Sequence, residues 1–202
     1  MNSAGDLDIL REVVNIGVGE AANSLSQLLQ KKVMLRVPDI QIMNVSEVKH
    51  YLQHELTSLG VYIAQDFEGM IKGKTILCYT RECSLSLLNA ILGDSVNITS
   101  LTEIGISTLN EIGNIIMVSC MSEISNMIDG RISYQLPEVS IEVSEVYFRN
   151  MIQEISAFET AIVIKNEFII HKTDIQGYMF ILLSFEGYET VIDRLLKKTE
   201  VH

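Results

Sequence analysis

A chain of 202 residues that is 48% hydrophobic and 20% charged, with only two prolines, has the composition of a packed globular fold and too much apolar material for a disordered one. Its net charge of −11 repels phosphate backbones and anionic headgroups, so nucleic acid and anionic membranes are poor candidate partners. No uninterrupted apolar run has the length of a bilayer span, and the N-terminus lacks the basic start and apolar block of a signal peptide; a cytoplasmic protein without membrane insertion is expected.

In chain order, the pattern predicts a long helix over about 3–30, with Ser3 and Asp6 suited to its N-cap and first turn. Strands follow at about 33–45, 60–67 and 74–79, then a short helix at 84–92. After a boundary near 94–100 the order recurs. A second long helix runs from Ser100, which stands at capping-box spacing from Glu103, to about Asp129, where Gly130 offers a stop. Strands at about 132–146, 157–170 and 178–185 precede a closing helix at 188–198. The segment VSIEVSEV (139–146) alternates as a strand with one covered face should.

The recurrence extends to particular residues. Asp8, Glu12, Asn15 and Pro38 find their counterparts in Ser107, Glu111, Asn114 and Pro137, all at an offset of 99, with 22 residues between each asparagine and its proline. The run Gly73–Tyr79 likewise resembles Gly177–Leu183. The expected fold is α+β: two pseudo-two-fold related α-β-β-β-α halves, about 1–97 and 98–202. Their long helices would pack on a mainly antiparallel sheet, and no Pro/Gly/Ser linker separates them, so one body is expected. That internal symmetry removes one reason to dimerise, and a monomer is expected.

Positions i, i+4 and i+7 of a helix lie within a narrow arc. Asp8, Glu12 and Asn15 therefore form one polar stripe, opposed by Leu10, Val14, Ala21 and Leu28 on the side where a core is expected; Ser107, Glu111 and Asn114 form a second, opposed by Leu109 and Cys120. Neither stripe holds His, Cys or Lys, and no Ser–His–Asp set is visible. Asparagine carries protons poorly, but its amide both donates and accepts hydrogen bonds. An outward carboxamide suits the placing of a water for in-line attack on a phosphoryl group, a reaction governed by position and electrostatics. A neighbouring carboxylate can pair with a lysine of a partner and fix the docking register.

The pattern Asp/Ser-x3-Glu-x2-Asn followed by 22 residues and Pro resembles the signature of the CheC/CheX/FliY chemotaxis phosphatases, met here twice and spanning nearly the whole chain. Length and the double motif look most like the CheC type. The resemblance implies hydrolysis of the aspartyl phosphate of phosphorylated CheY. Asn15 and Asn114 would each orient the attacking water, and Glu12 and Glu111 would engage the regulator's lysine. Asp8 and Ser107 would support these groups, and Pro38 and Pro137 would shape the strand that follows. It implies no cofactor of the chain's own, with Mg2+ carried in the regulator's site, and CheD as a second partner. The rival reading is an adaptor that holds CheD or phosphorylated CheY with little or no turnover.

Other residues have blander readings. His50 and His54 are four apart but lack a third ligand nearby and are read as solvated. Cys78, Cys83 and Cys120 are odd in number and set among apolar residues, which suits reduced, packed thiols. Gly17 and Gly19, inside a helix where glycine costs about 1 kcal/mol each, serve either the close approach of a partner or the crossing of another helix.

Overall fold

The structure, a computed structural model, describes residues 4–48, 50, 59–92, 100–141, 153, 157–170 and 173–199. Helix α1 (Ala4–Leu29) leads into strand β1 (Val33–Asn44), then β2 (Leu59–Gly69), β3 (Gly73–Thr80) and helix α2 (Arg81–Leu92). Helix α3 (Glu103–Met127) opens the second half, followed by β4 (Ile132–Tyr134), β5 (Glu138–Ile141), β6 (Thr160–Ile170), β7 (Thr173–Leu183) and helix α4 (Phe185–Thr199). The predicted elements are all present, most with ends shifted by a few residues.

Two differences have identifiable causes. The second long helix starts at Glu103, capped by Thr102 rather than Ser100. Thr102 is extended (φ −88, ψ 167), and its hydroxyl accepts the N–H of Gly105. The strand expected over 132–146 is divided into β4 and β5 by residues 135–137, because Pro137 has no N–H for a ladder; residues 142–146 and Ser3 lie outside the described residues. The end of α3 also departs in detail. The left-handed residue is Asp129 (φ 50), one before Gly130, and Gln30 (φ 50) holds the matching place after α1.

The strands form one antiparallel sheet in the order β1-β6-β7-β3-β2-β4, with β5 also on β2. Its centre is the β3–β7 pair, where Ile76 faces Phe180, Gly73 faces Leu183 and Tyr79 faces Gly177. Exchanging the two strands about Ile76–Phe180 reproduces the same pairing. The relation continues outward, since β6 beside β7 answers to β2 beside β3, and β1 on β6 answers to β4 and β5 on β2. It extends to the helix starts: Thr80 Oγ1 accepts the N–H of Cys83, and Ser184 Oγ accepts that of Gly187. The halves are thus two-fold related, and each contributes its first strand to the other's side of the sheet.

Burial on both faces explains why the central strands are so apolar. Ile63, Phe67, Leu77, Tyr79, Ile162, Ile164, Met179 and Ile181 face one core, shared with Leu10, Val14, Ala21 and Leu25 of α1 and Leu109, Ile116, Cys120 and Ile124 of α3. Tyr62, Ile76, Cys78, Val163, Phe180 and Leu182 face a second core, completed by Val45 and Val48. By length and composition alone α3 could cross a membrane, but Leu109, Ile112, Ile116, Met117, Cys120, Met121 and Ile124 lie in this shared core against α1 and the sheet.

The α1–α3 crossing resolves the question left by the two glycines. A Cβ on Gly17 would stand 2.7 Å from the Cα of Cys120, so Gly17 is where the helices cross. Gly19 is exposed and has nothing within 4 Å of such a Cβ. Gly17→Ala should therefore destabilise by about 1–3 kcal/mol through overpacking against backbone, whereas Gly19→Ala should stabilise by roughly 0.5–1 kcal/mol, both read from denaturant unfolding.

Burial also settles the thiols. Cys78 and Cys120 are buried and unpaired, and exclusion of water raises both pKa values, that of Cys120 to about 12. A thiol whose pKa is raised by folding contributes fully below its unfolded value and loses that contribution as pH climbs towards the folded one. Unfolding free energy should accordingly fall as pH rises above about 8.5, and the fall should be shallower in a Cys78→Ala, Cys120→Ala variant.

Candidate functional site

Helix α1 buries Leu10, Val13, Val14, Val18 and Ala21, which turns Asp8, Glu12 and Asn15 to solvent. Arg11 and Ile16 join them in lining a shallow groove along the helix. Asp8, Arg11 and Glu12 make no ion pair, and Asn15 no hydrogen bond, with any other described residue. This first stripe is a set of charges and one carboxamide open to solvent.

Helix α3 presents Ser107 and Glu111 in the same exposed way. A groove at that place is lined by Ser107, Thr108, Asn110, Glu111 and Ile112, with Leu28 and Leu29 from the end of α1; Leu28, expected in the core, is 56% exposed because the last turn of α1 carries it into this groove. Asn114, the fourth residue of interest, is half-buried, and its environment differs from that of Asn15. Its Oδ1 accepts a hydrogen bond of 3.0 Å from Nε2 of Gln65, a residue only 2% exposed. The same Nε2 donates to the carbonyl of Gln135 at 2.9 Å.

Local sequence accounts for this contact. Gln65 lies on β2 between the core residues Ile63 and Phe67, so the two-residue period turns it towards the helices. Gly113 precedes Asn114, and a Cβ there would stand 2.6 Å from Cδ1 of Ile63; the glycine admits β2 this close to α3. The corresponding residue of α1 is Val14. Gln135 is in the gap between β4 and β5, where the carbonyl is free to meet a side chain.

The predicted residues thus fall into two groups. Asp8, Glu12 and Asn15 line one groove; Ser107 and Glu111 line the other, with Asn114 one turn further along α3 outside its lining. The two grooves lie on neighbouring helices of the same sheet face. The prolines stand apart from both stripes, on the strands that follow: Pro38 at the register shift between Arg36 and Asp39 of β1, Pro137 at the β4–β5 break. Both sit where a missing N–H does no harm. Arg11 and Gln65 were not singled out from sequence. Arg11 stands one position before Glu12 and had a signal in its i+4 relation to Asn15, and Gln65 had one as the polar residue in the apolar phase of a strand. His54 lies outside the described residues, and among the described residues no three of His, Cys, Asp and Glu are grouped to hold a metal ion.

Comparison with known proteins bears on this geometry. The CheC-like family model matches residues 6–42, a span that holds Asp8, Glu12, Asn15 and Pro38. The chain is 26% identical over 192 residues to the CheY-P phosphatase CheC of Bacillus subtilis, covering 91% of this chain and 90% of that protein. Both findings make the chain similar to the CheC-type family. Among solved structures, the fold is similar to Thermotoga maritima FliY, with a TM-score of 0.74 at 20% identity over 98% of this chain and 99% of that one. It is also similar to the FliM middle domain from H. pylori, with a TM-score of 0.64 at 15% identity over 96% and 99% of the two chains. At such identities these two likenesses speak for the fold alone; the likeness to the CheC type comes from the family model and the B. subtilis relative.

Proposed function

We propose that this CheC-type chain is a phosphatase acting on the phosphoaspartate of a CheY-type response regulator, with one catalytic groove on α1 and another on α3. The observation that carries the reading is the Glu–x2–Asn pair at two-fold related places, exposed on α1 and with its asparagine half-buried on α3, in a chain similar over 91% of its length to a protein named as a CheY-P phosphatase.

The chemistry needs little from the enzyme. An aspartyl phosphate is a mixed anhydride, and its leaving group is a carboxylate with an ordinary pKa of about 3.9, so departure requires no general acid. Water attacks phosphorus in line, the bond from phosphorus to the aspartate oxygen breaks, and the water's proton ends on inorganic phosphate. What remains to be supplied is position. Asn15 or Asn114 fixes the water through its carboxamide. Glu12 or Glu111 pairs with the lysine beside the phosphoaspartate and sets the docking register. Asp8 and Ser107 support the adjacent contact, and Mg2+ belongs to the regulator, where it neutralises the phosphoryl oxygens. CheD is a proposed second partner.

The decisive experiment follows the decay of phosphorylated regulator with magnesium and catalytic amounts of this protein. Wild type should accelerate decay. Asn15→Ala with Asn114→Ala should abolish the acceleration, each site losing about 2–4 kcal/mol of barrier lowering, the range seen when a single active-site donor is removed. Chelation of magnesium should stop the stimulated reaction without unfolding this protein. If wild type binds the phosphorylated regulator and leaves its decay unchanged, the chain is an adaptor instead.

A further inference from the structure

We propose that Gln65 is a positioning residue for Asn114, and that it makes the α3 groove a preorganised site while the α1 groove has none of this support; the inference rests on the phosphatase reading above. Hydrogen-bond direction fixes the orientation of both amides. The backbone carbonyl of Gln135 can only accept, so the Gln65 atom 2.9 Å from it must be the amide nitrogen. That nitrogen is also the one 3.0 Å from Asn114, whose facing atom must in turn be the oxygen. Two side-chain amides that could each have been turned either way are thereby fixed by one main-chain group. Asn114 is held by its oxygen and keeps its N–H groups as the free end.

The contact lies inside the protein, where it holds best. Gln65 is 2% exposed, and its Oε1 is buried with no hydrogen-bond partner among the described residues. A buried amide with an unmatched oxygen is costly to keep, and a core position on a central strand would be filled more stably by an apolar residue. The two-fold related position shows that alternative. Ala64 pairs with Ile76 and Val163 with Phe180, so the counterpart of Gln65 is Ile164, fully buried. The same fold therefore accommodates an isoleucine there, and Asn15 on that side has no internal partner. The donor stands on one side only, at a local cost, under the half-buried asparagine.

Freezing the carboxamide before substrate arrives removes a rotational search from the water-orienting step, so its effect belongs in kcat rather than in regulator binding. The test uses two single-site parents, Asn15→Ala, which leaves the α3 groove, and Asn114→Ala, which leaves the α1 groove. Each receives Gln65→Met, which keeps length and volume but removes the donors. In the Asn15→Ala parent, Gln65→Met should lower kcat for phosphorylated regulator about tenfold and leave KM within about twofold. In the Asn114→Ala parent it should change neither. A second arm requires no turnover: 15N relaxation of side-chain amides in the otherwise wild-type chain should find Asn114 rigid and Asn15 mobile, and Gln65→Met should release Asn114. Equal loss of kcat in both parents marks a general structural role and overturns the proposal, as does an unchanged kcat in the Asn15→Ala parent. An Asn114 amide that is mobile with Gln65 present overturns it too. If neither parent accelerates decay before Gln65 is altered, the phosphatase reading falls and takes the catalytic role with it. The relaxation arm tells that outcome apart from a failure of the Gln65–Asn114 contact.

Discussion

The antiparallel contact of β3 with β7 governs the rest of the architecture. Because it maps onto itself about Ile76–Phe180, whatever packs beside β3 has an equivalent beside β7. The outer strands must then cross over, β1 to β6 and β4 with β5 to β2, and neither half can complete its sheet from its own segments. One broad sheet face results, and the two long helices lie on it side by side. Each must bury one apolar flank against the sheet and its neighbour, and that requirement turns the opposite flank outward. The exposure of Asp8, Glu12 and Asn15, and of Ser107 and Glu111, follows from burial of Leu10, Val14, Leu109 and Ile116.

What was legible in the sequence is what depends on short-range periodicity. The helical stripes repeat at intervals set by 3.6 residues per turn, and the 99-residue offset could be read without knowing the strand partners. The strands were legible because they are buried on both faces and so run nearly continuously apolar. The start of α3 was misread because Ser100 and Thr102 both carry capping hydroxyls, and only backbone geometry chooses between them. The β4–β5 break was signalled by Pro137, which was given only a general part in shaping the strand. A proline there costs the ladder one donor and frees a neighbouring carbonyl.

The pairing of Gln65 with Asn114 could not be read off in the same way. It joins residues from different halves across 49 positions, and depends on Gly113 letting β2 approach, on the phase of β2, and on the main-chain gap at Gln135. Each has a weak local trace, and none names the others. The likeness to FliY and to the FliM middle domain shows how widely this frame is used at low identity. Chemistry must then be argued from the outward residues of the helices and from what lies directly beneath them.

The crossed strands have a consequence for how the two grooves can differ. Two identical half-length chains assembled into the same sheet would be bound by their symmetry to place one residue type beneath both asparagines. Improving one groove would then oblige the other to bear the same change, with its cost in the core. A single continuous chain is released from that bond. Glutamine can stand at 65 while isoleucine stands at 164, so one flank of the molecule can keep the better-packed interior while the other is tuned for its task. Covalent continuity thus supplies a freedom to specialise that no symmetric assembly of halves possesses.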